Sequence, residues 1–167
     1  MKKAALILHN IRSVYNVGSI FRTADCVGIS KIYLSGYTPS PIDRFGRKRK
    51  DFAKVSLGAE ESVSWEVIPD IKEFIQKLKK EKFQIIAVEQ SQKAVDYKKV
   101  QVKSKAVFIY GNEVEGLENE ILNLCDITAE IPMRGKLART RQEGESGKES
   151  LNVSVSVGAT LFRFLDN

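Results

Sequence analysis

The sequence predicts an α/β domain built on a mostly parallel β-sheet flanked by helices, and three observations carry that prediction. Short apolar runs alternate with segments of helical spacing along the chain, which is the pattern of βαβ units. Several runs are apolar at successive positions, which is typical of strands covered on both faces. The 167 residues, 43% of them hydrophobic, suffice for one sizeable core, and no linker or repeat divides them. We therefore expect a single domain over residues 1–167.

The individual elements follow from this alternation. Five runs are expected to form strands: Ala4–Leu8, Lys31–Leu34, Gln84–Val88, Ala106–Tyr110 and Ile127–Ile131. The run Ser62–Val67 is a weaker strand candidate. Three segments carry the apolar spacing of amphipathic helices: Gly18–Val27, Asp70–Lys80 and Leu117–Leu124.

The C-terminal segment gives two conflicting signals. Valines and serines alternate over residues 153–157, as they would in a strand. A second set of apolar residues recurs at helical spacing: Leu151, Val155, Ala159 and Phe162. Ser150 is also a favourable residue for a helix N-cap. Local physical chemistry therefore favours a helix here, but only slightly.

The positive charge of the chain is concentrated in two polar segments. The sequence has 27 Lys+Arg and 21 Asp+Glu, a formal net charge of +6. Residues 40–55 contain six basic and two acidic residues, and residues 134–149 contain five and three. The rest of the chain contains 16 basic and 16 acidic residues. A local basic excess suits a polyanion such as nucleic acid, or an anionic membrane surface.

Composition argues against several other classes of protein. Cys26 and Cys125 show no CxxC spacing, so we expect two buried free thiols and no disulfide or metal site. No apolar stretch approaches the ~18 residues of a membrane span, and the N-terminal apolar run is too short for a signal peptide. A cytoplasmic protein without a membrane partner is therefore expected. The chain lacks the glycine-rich nucleotide-binding loops, and its single histidine, His9, is assigned a structural role.

Three polar clusters each follow a predicted strand. The first extends from Asn10 to Ala24, the second is Gly111–Gly116, and the third comprises Ile131–Gly135 and Ser150–Val153. Because open parallel sheets bind ligands at the carboxyl ends of their strands, all three clusters are expected at one edge. Taken singly, each also has a structural interpretation, with Asn16 and Ser150 as helix caps and Glu113 as a solvated acid.

Together, and in this order, the clusters resemble the signature motifs of the SpoU-type 2′-O-ribose methyltransferases, members of the SPOUT superfamily. Residues 16–24 (NVGSIFRTA) match the family's N-x-G-x-x-x-R-x-A, and residues 111–116 (GNEVEG) match G-N-E-x-x-G. Residues 131–135 (IPMRG) and 150–155 (SLNVSV) match I-P-M-x-G followed by S-L-N-V-S-V. Residues 56–60 (SLGAE) resemble a further family stretch. The likeness covers nearly the whole chain.

The resemblance implies features that spacing alone does not reveal. Members of the family form a deep trefoil knot in their C-terminal half and bind S-adenosylmethionine against the knot loops. They dimerise, with the active site built across the interface. Their C-terminal segment is a helix, which decides between the two local signals in favour of helix. Compared with the compact form of the family, residues 137–147 look like an insertion between the two parts of the third motif. They are nearly devoid of apolar side chains, so a mobile surface loop is expected.

The resemblance also assigns roles to individual residues. The expected catalytic residues are Arg22, Asn16, Glu113, Ser150 and Asn152. The expected contacts to S-adenosylmethionine are Val88, Gly111, Ile131, Met133 and Leu151. In this scheme Arg22 acts as a base or as an activator working with an RNA phosphate. A free guanidinium is protonated at neutral pH, which favours stabilisation of a developing alkoxide. Asn16 holds the ribose or orients Arg22, and Glu113 fixes the geometry by hydrogen bonds to either of them.

The basic stretch after the second predicted strand is expected to contact RNA. Its five cations are Arg44, Arg47, Lys48, Arg49 and Lys50. Phosphate contacts from them would position RNA without reading its sequence, and Phe45 could stack on an unpaired base. The alternative is a solvated charge run with no partner.

The expected function is transfer of a methyl group from S-adenosylmethionine to a ribose 2′-hydroxyl in RNA by a homodimer. A tRNA substrate is favoured over rRNA. The alternatives are an rRNA 2′-O-methyltransferase, a non-catalytic RNA-binding protein of the same fold, and a base methyltransferase of another SPOUT branch.

Overall fold

The computed structural model describes residues 3–135 and 150–166. Within these residues the strands are β1 Lys3–His9, β2 Lys31–Ser35, β3 Ser64–Ile68, β4 Gln84–Val88, β5 Val95–Asp96, β6 Lys105–Tyr110 and β7 Ile127–Glu130. These seven strands form one sheet in the order β3-β2-β1-β6-β4-β7-β5, and all paired neighbours are parallel. The predicted α/β class with a parallel sheet is confirmed.

Helices cover both faces of the sheet. In the described part of the chain they are α1 Val14–Cys26, α2 Lys50–Ser56, α3 Ala59–Ser62, α4 Ile71–Lys80, α5 Asn119–Leu124 and α6 Val153–Leu165, with a 3-10 turn at Tyr97–Lys99. Helices α1, α2, α3 and α6 pack on one face, while α4 and α5 pack on the other. Because the sheet is covered on both sides, successive residues of its central strands are all buried, which explains their continuous apolar runs.

The core on the α1 and α6 side is aromatic. Phe108 of β6 stacks on Phe164 of α6 with ring centroids 5.0 Å apart, and Phe21 of α1 meets Phe52 of α2 edge-on at 5.1 Å. Each fully buried large apolar side chain of this kind stabilises the fold by about 1.5–3 kcal/mol. These contacts fix α1 and α6 against the sheet, and both helices carry residues of the motifs.

Helix α1 begins four residues before the predicted start at Gly18. The hydroxyl of Ser13 accepts a hydrogen bond from the amide of Asn16 at 3.2 Å, so Ser13 is the N-cap. The interpretation of Asn16 as a helix cap was wrong, and its side chain is available for other contacts. The short elements α2, α3 and β5 were not predicted, because segments of two to seven residues carry too little periodicity.

Helix α6 confirms the helical interpretation of the C-terminal segment but differs in two details. Its N-cap is Asn152, whose Oδ1 accepts from the amide of Ser154 at 2.9 Å, so the expectation that Ser150 caps the helix was wrong. The buried side consists of Val153, Val157, Thr160, Leu161 and Phe164. The stripe of Leu151, Val155, Ala159 and Phe162 is exposed instead. The helix is therefore apolar on two sides.

Two further expectations concern residues that the structure places differently or does not describe. Cys26 is exposed at the end of α1, which contradicts its expected burial, while Cys125 is half-buried and its burial raises the pKa of its thiol to about 12. The trefoil knot expected in the C-terminal half and the mobile loop expected over residues 137–147 stay predictions, because residues 136–149 lie outside the described part of the chain. None of the helices in residues 3–135 and 150–166 is long and apolar enough to cross a membrane.

Candidate active site

The three motifs meet at the carboxyl edge of the sheet, as the strand order requires. The first motif follows β1 and the second follows β6, which pairs directly with β1. The third follows β7, which β4 links to β6. Ligands of open parallel sheets bind at this edge, so topology brings together residues that are far apart in sequence.

A chain of hydrogen bonds joins one side chain from each motif. Asn152 Nδ2 donates to Asn16 Oδ1 at 3.1 Å, and Asn16 Nδ2 donates to Glu113 Oε1 at 3.0 Å. The other carboxylate oxygen of Glu113 accepts from the amide of Arg12 at 3.2 Å. The structure thus places three of the five predicted catalytic residues in contact. Asn16 and Arg22 were both considered as partners of Glu113, and the structure shows a hydrogen bond from Asn16.

The carboxyl group of Glu113 is held in its ionised form. Partial burial by itself raises its pKa, but hydrogen bonds from Asn16 and from backbone amides outweigh the burial, so the pKa lies below its ordinary value. At neutral pH the group therefore only accepts hydrogen bonds. This fits a role in orienting Asn16 and does not fit a role as a proton donor.

The second motif is a tight loop whose two glycines have no room for a side chain. A Cβ on Gly111 would lie 2.7 Å from Leu117 Cγ and 2.8 Å from the carbonyl carbon and oxygen of Gly116. Gly116 has a φ of +69°, and a Cβ there would lie 2.5 Å from Oε2 of Glu89. Glu89 itself accepts from the amide of Leu117 at 3.0 Å. The end of β4 is thereby fixed to the loop after β6.

Asn112 holds this loop against the first motif and was not assigned a role from the sequence. Its Nδ2 donates to the carbonyl of Asn10 at 3.0 Å and to the Tyr37 hydroxyl at 2.7 Å. Its Oδ1 accepts from the amides of Val114 and Glu115, both at 2.8 Å. The side chain is buried and uses its full hydrogen-bonding capacity. Its position directly after an apolar strand, between two motif glycines, was the available signal.

His9 has the structural role that was expected. It is 8% exposed, with Nδ1 2.8 Å from the Ser35 hydroxyl and Nε2 accepting from Asn10 Nδ2 at 3.1 Å. Burial lowers the pKa of its imidazole, which a contribution from Glu118 only partly offsets. A neutral imidazole with both nitrogens hydrogen-bonded stabilises the turn that leads into the first motif.

All five residues expected to contact S-adenosylmethionine line one pocket at the edge of the sheet. They are Val88, Gly111, Ile131, Met133 and Leu151. Glu113 and Ser150 line the same pocket, which connects it to the hydrogen-bonded chain. Two further carboxylates, Glu89 and Glu130, also line the pocket and were not predicted.

The lining of this pocket has the chemistry that S-adenosylmethionine requires. Apolar side chains and strand-end backbone groups suit its adenine and its methionine chain. Among the described lining residues, the charged side chains are the three glutamates and none is basic. A cation is favoured beside carboxylates, so the pocket suits the sulfonium and ammonium groups. Within residues 3–135 and 150–166, no cluster of His, Cys, Asp and Glu is arranged to hold a metal.

Arg22 is not brought together with the other predicted catalytic residues. It lies on the exposed side of α1, six residues beyond Asn16, which corresponds to about 9 Å along the helix axis. It is not among the described residues that line the pocket. Within a single protomer, Arg22 is therefore exposed and lies outside the described lining of the pocket.

The five cations expected to bind RNA lie together in the segment that follows β2 and ends at the first residue of α2. They line a wide groove with Phe45, and Arg49 is the least exposed of them. Three of them form surface ion pairs: Arg47 with Asp43 at 2.9 Å, Lys48 with Glu61 at 2.5 Å and Arg49 with Asp51 at 3.1 Å. Such exposed pairs stabilise a fold by only about 0–1 kcal/mol, so a phosphate can replace the acidic partner.

Solved structures of RNA-modifying enzymes share this fold. An rRNA methyltransferase from Sinorhizobium meliloti, solved with bound AdoMet, superimposes with a TM-score of 0.81 and 25% identity, over 98% of this chain and 56% of that one. The TrmH/SpoU tRNA modifying enzyme of A. aeolicus superimposes with a TM-score of 0.79 and 25% identity, over 98% of this chain and 74% of that one.

Curated relatives cover nearly the whole chain. A tRNA (guanosine(18)-2′-O)-methyltransferase from Aquifex aeolicus is 30% identical over 164 residues, which span 96% of this chain and 68% of the relative. The 23S rRNA (guanosine-2′-O-)-methyltransferase RlmB of Neisseria meningitidis is 29% identical over 93% of this chain, which spans only 55% of that relative.

Fold and site together define the class of protein, an α/β RNA methyltransferase with its pocket at the carboxyl edge of a parallel sheet. The chain belongs to the SpoU rRNA methylase family, whose profile matches residues 3–162. The family predicted from the three motifs is therefore confirmed, and with it the class of enzyme.

Proposed function

We propose that this protein transfers the methyl group of S-adenosylmethionine to a ribose 2′-hydroxyl in RNA, with tRNA as the favoured substrate. One observation carries the proposal: a pocket lined by apolar residues and glutamates lies at the same edge of the sheet as the hydrogen-bonded chain Asn152–Asn16–Glu113, and Glu113 belongs to both. Relatives named for tRNA and for rRNA ribose methylation support the reaction.

In the proposed mechanism the bound cofactor supplies an electrophilic methyl group, and the protein positions and activates the hydroxyl. Glu113 fixes the amide of Asn16, which leaves Asn16 oriented toward the ribose. Arg22 would stabilise the negative charge that develops on the 2′-oxygen as the hydroxyl proton passes to solvent water, and it would clamp the adjacent phosphate. Positioning of this kind accounts for much of the rate gain in a transfer between two bound groups.

Methyl transfer is tested by incubating the protein with labelled S-adenosylmethionine and separated tRNA and rRNA fractions. We expect label in tRNA, on a nucleotide whose 3′ linkage resists alkaline hydrolysis because the 2′-hydroxyl is methylated. Label on a base, or on neither RNA, would contradict the proposal. Label confined to the 2′-position in rRNA would agree with the proposed reaction but would contradict the preference for tRNA.

We also propose that the protein acts as a homodimer, with α1 and α6 at the interface. Val155 and Phe162 of α6 are 54% and 48% exposed, and Tyr15 of α1 is 61% exposed. The first turns of both helices are tied by the bond between Asn152 and Asn16, so these side chains belong to neighbouring helices on one sheet face. A helix that is apolar on two sides is stabilised by burial on both.

This interface would also explain the position of Arg22. Leu151 lines the pocket and begins the exposed stripe of α6, so the mouth of the pocket adjoins the proposed interface. A second copy laid against this face would bring its exposed Arg22 toward the pocket of the first. The proposed active site is then completed only in the dimer.

Replacing Val155 with arginine will convert the dimer to a monomer, because each protomer would bury an arginine in the proposed interface without a counter-charge. Light scattering coupled to size-exclusion chromatography is expected to show twice the chain mass for the unmodified protein and one chain mass for Val155→Arg. The control is Val95→Arg, which changes an exposed valine of the edge strand β5. This variant should remain dimeric. A monomeric unmodified protein would contradict the proposal.

A further inference from the structure

A second concave surface lies beside the candidate active site. It is a groove of about 1080 Å³ between the segment 38–51 and the edge strand β3. Phe45 lines it from the segment 38–51, and Trp65 and Val67 line it from β3. We propose that this stacking groove binds a short single-stranded segment of RNA, with unpaired bases stacked on Phe45 and Trp65. The proposal rests on the proposed function, because it concerns the substrate of the same reaction.

Phe45 is held outward by a rigid turn. Asp43 Oδ1 accepts from the amides of Phe45 at 2.8 Å and Arg47 at 3.0 Å, and Gly46 adopts a φ of +77°. These hydrogen bonds lower the pKa of Asp43, so the carboxylate that holds the turn stays ionised. The ring is 66% exposed as a result. Because hydrogen bonds already order the backbone of this turn, stacking of a base on Phe45 costs little backbone freedom.

Positive charge surrounds this ring. The guanidinium carbons of Arg44 and Arg47 lie 4.8 Å and 5.1 Å from the centroid of the Phe45 ring. The groove is lined by five basic residues and by two acidic ones, Asp43 and Asp51. Guanidinium groups stack on nucleobases and also neutralise phosphates. The groove therefore pairs stacking surfaces with the charge that complements an RNA backbone.

Trp65 supplies a second aromatic surface across the groove. It is half-buried, and its inner side packs against the core of the α1 and α6 face. Val67, 56% exposed, extends this wall along the edge strand. Stacking on aromatic rings tolerates any base, because every base has a π-face. A concave surface lined by two aromatic rings fits bases turned out from a single strand better than it fits a flat membrane surface.

Hydrogen bonds connect the segment that lines the groove to the first and second motifs. The Tyr37 hydroxyl accepts from Asn112 of the second motif at 2.7 Å, and Thr38 Oγ1 accepts from the amide of Ile11 at 3.1 Å. The chain then runs directly from Thr38 into the wall of the groove. Nucleotides that flank a ribose placed in the active site can therefore reach the stacking groove along one strand.

The single tryptophan of the sequence makes this proposal directly measurable, because Trp65 lines the groove. The 167-residue protein is titrated with an oligouridylate of about eight nucleotides, and tryptophan fluorescence is recorded. We expect saturable quenching. Phe45→Leu, which removes the aromatic plane but keeps an apolar side chain, should raise the Kd about tenfold. Phe45→Tyr should restore it, and Phe74→Leu, on the opposite face of the sheet, should leave the Kd unchanged.

Three results would overturn the proposal: equal quenching by a duplex RNA of matched length, equal quenching by phosphatidylserine vesicles, or an unchanged Kd in Phe45→Leu. The readout is independent of catalysis. An Arg22→Ala protein should still show quenching that depends on Phe45. If oligouridylate quenches as expected but no RNA is methylated, the proposed function fails and the stacking groove stands.

Discussion

Replacing Arg22 with alanine will lower kcat/KM for methyl transfer by about 10²–10³-fold, the range measured when one group that stabilises a developing oxyanion is removed. The affinity for S-adenosylmethionine should stay within about twofold of the unmodified protein, because Arg22 lies outside the described lining of the pocket. Transfer is followed with labelled cofactor and tRNA, and cofactor binding is followed by calorimetry. Arg22→Lys should be intermediate, since it keeps the charge but loses the planar fork.

A matched control removes an exposed cation on the opposite face of the sheet. Lys80→Ala, at the end of α4, should leave transfer unchanged. An Arg22→Ala protein that methylates RNA at the rate of the unmodified protein would contradict the assigned role of Arg22.

Mixed dimers reveal which protomer's Arg22 acts on a given pocket. Arg22→Ala is coexpressed with Met133→Arg, which places a cation in the pocket that Met133 lines. If Arg22 reaches the partner's pocket, each mixed dimer retains one intact site, and about a quarter of the activity returns. If Arg22 serves its own protomer, the mixture stays inactive and the proposed interface is wrong.

Replacing Gly111 with alanine will destabilise the fold by about 1–3 kcal/mol, the usual cost of overpacking a close-packed site. The added Cβ would meet the backbone of Gly116 at 2.8 Å, and that backbone cannot easily retreat because the Gly116 amide donates to the Asn112 carbonyl at 3.0 Å. Because Gly111 also lines the pocket, the affinity for S-adenosylmethionine should fall at least about tenfold, or ~1.4 kcal/mol. Urea unfolding and calorimetry measure the two effects.

The control for Gly111→Ala is Gly135→Ala. A Cβ at Gly135 would have no atom of the described residues within 4 Å, so the free energy of unfolding of this variant should change by no more than about 0.5 kcal/mol. If Gly111→Ala unfolds at the same urea concentration as the unmodified protein, the loop after β6 is more adaptable than its contacts indicate.

Local sequence patterns were sufficient for the elements that bury the most apolar surface. Strands such as β4 and β6 are apolar at successive positions because helices cover both faces of the sheet, and this produces a strong local signal. The N-cap of α1 was misplaced because Ser13 and Asn16 are both favourable caps, and only the fold directs Asn16 toward Glu113. The apolar stripe of α6 predicted a helix correctly, yet that stripe is its exposed side.

The sequence by itself determined the α/β class, the three motifs and, through them, the family. Tertiary structure decided which of the motif residues meet. Asn16 and Asn152 are 136 positions apart, and Asn16 and Glu113 are 97 apart. The period of a helix or strand encodes which side is buried, but contacts over such separations depend on the order in which strands pair. That order places β6 beside β1 and assembles the pocket, while the direction of α1 leaves Arg22 outside it.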